Sequence, residues 1–134
     1  MKKPLDLAGI IPAVCLPMTT DEKIDERALR KYIRWVAGHG IKGVAVNADT
    51  GEGPWLYPEE RVRVIEVWAE ELNGKIPIIA GLTASFTHQA IGLAKQAKKA
   101  GADALLVFPI NAYLGQPCSF EIPYHYHKAL AEEV

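Results

Sequence analysis

Gly43–Trp55, GVAVNADTGEGPW, decides how the chain is read. Val44-Ala45-Val46 is a short β-branched and apolar run, the mark of a buried strand. It breaks at once into Asn47-Ala48-Asp49-Thr50-Gly51-Glu52-Gly53-Pro54, dense in turn formers and in groups able to bind anions or move protons. Pro58 then opens a helix. Strand, loop and helix make half of a βα unit, and in folds built from such units the loops at the strand C-termini carry the chemistry. The loop is read as one wall of a small-molecule site whose remainder is expected outside this chain.

Working outward, the same unit recurs. Gly9–Leu16 reads as a first strand, interrupted by Pro12, which cannot donate to a ladder. Asp25 is placed to cap a helix carrying Leu29, Tyr32, Ile33, Val36 and Ala37 on one stripe, stopped by Gly38 and Gly40. After the central loop, Pro58, Glu59 and Glu60 suit a helix start, and Val64, Ile65, Val67, Trp68 and Leu72 form its buried side. Ile76–Gly81 reads as a strand covered on both faces. Thr87 is the expected cap of a helix with a small-residue face, Ala90, Ile91, Ala94, Ala97 and Ala100, ended by Gly101. Ala104–Phe108 is a fourth strand, followed by a long loop from Pro109 to Cys118. Ser119 is the expected cap of a last helix with Pro123 in its first turn.

Composition narrows the classes. With 134 residues the chain fits one domain, and 49% hydrophobic with 23% charged residues is ordinary for a globular protein. A formal net charge of -1 leaves no electrostatic footprint for nucleic acid or a membrane surface. The basic start at Lys2 and Lys3 is followed by an apolar stretch broken by Pro4, Asp6, Gly9 and Pro12, which does not suit a secretory leader. No window reaches the length of a membrane span. Cys15 and Cys118 lack paired spacing and are expected to be free, buried thiols. A cytoplasmic location is the expectation.

Four βα units with a period of about 30 residues imply an α/β fold with a parallel sheet and right-handed crossovers. Periodicity leaves two closures open. One is a small doubly wound sheet, the other half of an eight-stranded barrel of about 250 residues.

The motifs carry a resemblance. Gly9-Ile10-Ile11-Pro12-Ala13, Asp25, Thr50-Gly51-Glu52, Pro58-Glu59-Glu60-Arg61, Pro77-Ile78-Ile79-Ala80-Gly81 and Ala100-Gly101-Ala102-Asp103-Ala104 all match one family in register. Together they resemble the dihydrodipicolinate synthase / N-acetylneuraminate lyase family. The resemblance implies the N-terminal half, four βα units, of a TIM (β/α)8 barrel, with residues 1–134 as one partial domain ending before the fifth strand. Members of that family use a lysine on a later strand to form a Schiff base with pyruvate or another 2-oxo acid, and a tyrosine on the strand after the fourth helix to relay protons. Neither is expected in this chain. Lys42 and Lys75 precede strands, Lys95, Lys98, Lys99 and Lys128 lie on helices, and Lys23 is in the first loop, so none stands where an imine would form.

The resemblance also implies site residues. Thr50 and Gly51 match the segment that holds the 2-oxo acid carboxylate through a hydroxyl and backbone N–H groups, and Ala13 joins them as a substrate-binding residue. N–H groups in a tight turn can form such an anion nest, although the same three residues, Thr50-Gly51-Glu52, also suit a turn without a ligand. Asp49 stands where the synthases carry the first of two adjacent threonines of a proton relay. This departure points to a divergent lyase, dehydratase or aldolase, with an aspartate loop cap as the plainer reading. Tyr113 falls where synthases often carry a tyrosine reaching a neighbouring subunit's site, in a loop longer than the usual form. Asp49 and Tyr113 are the catalytic candidates. His125 and His127, two apart on a helix, face different ways and form no ligand pair, so no metal and no cofactor are expected. The expected partner is a small 2-oxo acid such as pyruvate, together with further copies of the chain as a homo-oligomer. The competing reading is a non-catalytic half-barrel serving oligomerisation or interaction, since its sheet has two unpaired edges.

Overall fold

The computed structural model describes residues 5–134; Lys2 and Lys3 lie outside the described residues. Helices Glu26–Ala37 (α1), Pro58–Leu72 (α2), Thr87–Ala100 (α3) and Glu121–Glu133 (α4) alternate with strands Val44–Val46 (β1), Ile78–Leu82 (β2) and Ala104–Val107 (β3). The strands are parallel in the order β1-β2-β3, with Val44 opposite Ile78 and Ile79 opposite Ala104. The expected first strand contracts to a single parallel bridge, Ala13 to Ala45. Val14 N donates to Ala45 O at 3.1 Å and Ala45 N to Pro12 O at 2.9 Å. Pro12 has no N–H with which to lengthen that ladder.

Consecutive strands are neighbours, so right-handed crossovers deliver every helix to the same face. The packing agrees. Val44 and Val46 of β1 and Ile78 and Ala80 of β2 share one core with Leu29 and Ile33 of α1 and with Val64, Ile65 and Trp68 of α2. Leu82 joins a second cluster with Ala90 and Ala94 of α3 and Tyr126 and Leu130 of α4. The other sheet face has no helical layer: Ala13 and Cys15 are exposed, and Leu106 of β3 is 40% exposed. A doubly wound sheet would carry helices on both faces. One covered face and sequential strand order are the arrangement of a barrel wall.

Several local expectations shift. Both cysteines are free but exposed, because Cys15 lies on the bare face and Cys118 in the loop before α4. Thr87 is the first residue of α3 rather than its cap, and Phe86 occupies the cap position without a side-chain bond. Ser119 stands one residue before the cap position of α4, yet its Oγ still accepts from Glu121 N at 3.3 Å. Asp25 does cap α1, its Oδ1 accepting from Ala28 N at 2.9 Å. Trp35 is 63% exposed, stacked on Tyr32 and beside His39, while Trp68 is the buried indole.

On the solvent side α1 and α2 are laced by ion pairs. Arg63 makes a bidentate pair with Glu26 at 2.7 and 2.8 Å, Arg34 grips Glu71 at 2.8 and 3.1 Å, and Arg30 reaches both Glu70 and Glu71. These hydrogen bonds hold the Glu26, Glu70 and Glu71 carboxyls below the ordinary glutamate value of 4.5. A carboxyl depressed in the folded state stabilises it above the unfolded pKa, and the contribution is lost as pH falls through the folded one. The urea midpoint is therefore expected to fall between about pH 7 and about pH 3, and to fall less steeply in Glu71→Gln. Identical pH slopes for the two proteins would show that the network is energetically idle.

Candidate functional site

The site is built where β1 ends. Asn47 takes a left-handed φ of 56°, and the chain then winds through two short 3-10 turns, Asp49–Gly51 and Gly53–Trp55, hinged at Glu52 with φ 60°. Gly51 N and Gly53 N both donate to Ala48 O, at 2.9 and 3.1 Å, and Glu52 N donates to Asp49 O. The N–H groups of Asp49 and Thr50, at the open start of the first turn, donate to no carbonyl among the described residues. Both residues are exposed. Two amides without a main-chain acceptor, on residues that are exposed and adjacent to a threonine hydroxyl, are donors of the kind that can bind one carboxylate or phosphate oxygen pair.

Close packing around the Asn47 carbonyl holds this turn. A Cβ on Gly53 would stand 1.8 Å from Asn47 O, and one on Gly81 of β2 would stand 2.4 Å from the same atom. Only hydrogen fits at either place, so the loop and the end of β2 are pressed onto one peptide group. The Asn47 side chain is buried and donates from Nδ2 to Arg61 O at 3.0 Å. The Arg61 guanidinium donates to Leu56 O at 3.1 Å from Nε, to Thr83 O at 3.3 Å from Nη1 and to Pro54 O at 3.3 Å from Nη2. Burial pushes the Arg61 guanidinium down from its ordinary value. No carboxylate pairs with it among the described residues.

The predicted site residues divide into two groups. Gly51 is buried against the main chain of the first segment, where an added Cβ would meet Val14 O at 3.0 Å. Thr50-Gly51 and the Ala13–Val14 segment are thus brought together, with Ala13 exposed on the sheet face that lacks helices. Asp49 opens the turn and is exposed. Tyr113 is elsewhere: it ends a 3-10 turn, Asn111–Tyr113, after β3 and is 44% exposed. It lines a cavity of about 280 Å³ with Leu114, Cys118, Ile122 and Tyr126, and none of the other site candidates reaches that cavity. Among the described residues no set of three or more His, Cys, Asp or Glu side chains is assembled for a metal. No helix there is long and apolar enough to cross a membrane.

Comparison with known proteins decides the relationship. A model of the dihydrodipicolinate synthetase family matches residues 6–134. The chain belongs to that family. Among curated members, the 4-hydroxy-tetrahydrodipicolinate synthase of Brucella abortus biovar 1 is 41% identical over 111 residues, covering 83% of this chain and 37% of the relative. That of Bartonella henselae is 39% identical with the same coverage. Among solved structures, the chloride-inhibited dihydrodipicolinate synthase of Acinetobacter baumannii, complexed with pyruvate, superposes with a TM-score of 0.87 at 36% identity, over 96% of this chain and 43% of that one. The enzyme of Aquifex aeolicus gives 0.82 at 35% identity, over 94% and 42%. The chain therefore spans under half the length of these family members, and its helix-backed sheet is the corresponding part of their barrel.

Asn47, Gly53, Gly81 and Arg61 were not singled out from the sequence. Arg61 had a readable signal. It is the fourth residue of α2, and a cation in the first turn opposes the helix dipole unless something else holds it. Nothing in the spacing alone marks Gly53 and Gly81, 28 positions apart, as meeting one carbonyl.

Proposed function

We propose that the chain forms four βα units of a (β/α)8 barrel belonging to a lyase or aldolase that acts on pyruvate or a related 2-oxo acid. In this reading the Asp49 and Thr50 N–H groups and the Thr50 hydroxyl cradle the substrate carboxylate, with Ala13 beside them, while Gly51, whose N–H is not free as expected but donates to Ala48 O at 2.9 Å, shapes the turn. The observation that carries it is the pair of N–H groups without a main-chain acceptor at the exposed residues Asp49 and Thr50, next to the Thr50 hydroxyl. Family membership supports the substrate class, and the Acinetobacter baumannii relative binds pyruvate. Asp49 is then placed to exchange a proton near the bound acid, and Tyr113 belongs to a separate surface beside α4.

The reaction class needs an amine, and several of the described lysines are paired elsewhere. Lys42 pairs with Asp6 at 3.6 Å, Lys23 with Asp21 at 2.9 Å and Lys95 with Glu133 at 2.6 Å, while Lys98 Nζ donates to Val134 O at 2.6 Å. None stands at the C-terminal end of a strand in a pocket able to depress its pKa. Chain of this sequence is therefore expected to bind pyruvate without forming an imine. Titration followed by amide chemical shifts should move Asp49 and Thr50, with Thr50→Val weakening binding by about tenfold, a loss of ~1.4 kcal/mol. Borohydride reduction with pyruvate should leave the mass unchanged. A reduced adduct would refute the assignment of the lysines, and unmoved amides would refute the cradle.

A second reading has its own observation. The bare sheet face at Ala13, Cys15 and Leu106, with an open edge at β3, suits a half-barrel that associates rather than catalyses. Sedimentation of a monomer at high concentration would rule that reading out.

A further inference from the structure

We infer that Arg61 is the positioning residue of the loop that carries the Asp49–Thr50 donors, fixing both ends of that loop at once. The inference rests on the proposed reading of that loop as a carboxylate cradle. At the N-terminal end of the loop, Asn47 Nδ2 donates to the main-chain oxygen of Arg61. At the C-terminal end, the Arg61 guanidinium donates to Pro54 O and Leu56 O, and its remaining contact, Thr83 O, ties the assembly to the loop that follows β2. The donors at 49 and 50 therefore sit on an arch whose two feet stand on one residue of a rigid helix.

The chemistry of the contact favours a positioning role over a purely electrostatic one. A part-buried cation is normally matched by a carboxylate, because neutral partners repay its desolvation poorly. Here carbonyl dipoles replace that carboxylate. A carboxylate beside the guanidinium would neutralise it. Carbonyls leave the positive charge intact within the wall of a site proposed to hold an anion. The planar fork of arginine also matters, since three acceptors in three directions are met by fixed N–H vectors. A lysine ammonium has the charge without that geometry. Arg61 need not touch the substrate to act, because a misplacement of about 1 Å in a binding arch is enough to change affinity severalfold or more.

The test begins with the unaltered chain. Arginine side-chain NMR should show a slowly exchanging Arg61 Nε–H and restricted rotation of its Nη groups; a freely rotating, fast-exchanging guanidinium would overturn the inference even if no variant folds. In Arg61→Lys and Arg61→Ala, the Gly51 and Gly53 amides should exchange at least about tenfold faster relative to the amides of β1, and pyruvate should bind at least about tenfold more weakly. Val64→Ala, a core truncation on the same helix, serves as a stability control. It should lower the unfolding midpoint while leaving the relative protection of the loop and the pyruvate affinity unchanged. Equal weakening in Val64→Ala, or unchanged loop exchange in both Arg61 variants, would reduce Arg61 to ordinary packing. If the unaltered chain shows no pyruvate-dependent shift at Asp49 or Thr50, the cradle reading fails, while loop exchange still decides the role of Arg61.

Discussion

Gly53→Ala is expected to destabilise the chain by about 3 kcal/mol or more and to abolish pyruvate-dependent shifts at Asp49 and Thr50. The added methyl would stand 1.8 Å from Asn47 O and 2.4 Å from Asn47 C, and both are backbone atoms that no rotamer change can move away. The structure has two ways to relieve the clash. Either the Asn47 peptide rotates, which breaks the turn from β1 into the loop, or the loop lifts, which separates Pro54 and Leu56 from the Arg61 guanidinium. Both routes disturb the donors at 49 and 50. Urea unfolding measures the loss, and a change below about 1 kcal/mol would show that the close approach is relieved cheaply. Gly81→Ala meets the same carbonyl at 2.4 Å from the opposite side. Since both substitutions push on one atom, the double variant should lose less than the sum of the singles.

Trp68→Ala is expected to cost about 3–5 kcal/mol, a large part of the roughly 5–15 kcal/mol by which native domains are stable. The Trp68 indole is 1% exposed and stands edge-on to Tyr32, with ring centroids 6.4 Å apart and an interplanar angle of 83°. It fills the space between α1, α2 and the sheet, and its removal leaves a void that short helices on a strip of sheet can close only by shifting. Fluorescence provides a second reading, because Trp35 and Trp55 are 63% and 69% exposed. The blue-shifted component of the emission should vanish with Trp68 and persist in Trp35→Ala. An unfolding midpoint close to that of the unaltered chain would mean that the core recloses around the gap.

Much of the architecture was legible from spacing. The stripe of Leu29, Tyr32, Ile33, Val36 and Ala37 and that of Val64, Ile65, Val67, Trp68 and Leu72 marked two helix faces, and all of these residues are buried except Tyr32 and Ala37, which are half-buried against the same core. Asp25 marked a helix start because a short carboxylate can reach the free amides of a first turn, and its bond to Ala28 N bears this out. The first strand was harder to read. Its apolar run suggested a strand and Pro12 an irregular one, since Pro12 withholds a donor, but how little pairing survives, one bridge from Ala13 to Ala45, was not legible. The failures at Thr87 and Ser119 share a cause: a capping residue is decided by φ and ψ one position either way, a precision that composition does not carry.

By itself the sequence determined that this is a parallel α/β chain and pointed to the loop after the strand Val44–Val46 as the candidate site, because hydrophobic period and turn chemistry are local properties of neighbouring residues. It also held the motifs of the dihydrodipicolinate synthetase family, which the match over residues 6–134 bears out. Only the tertiary structure decided that every helix lies on one face of the sheet, that Tyr113 lines a different surface from Thr50, and that Gly53, Gly81 and Arg61 converge on Asn47 and its loop. Those facts depend on contacts between residues far apart in the chain. Such contacts are set by how the strands register and how the helices pack, and no window of local sequence encodes them.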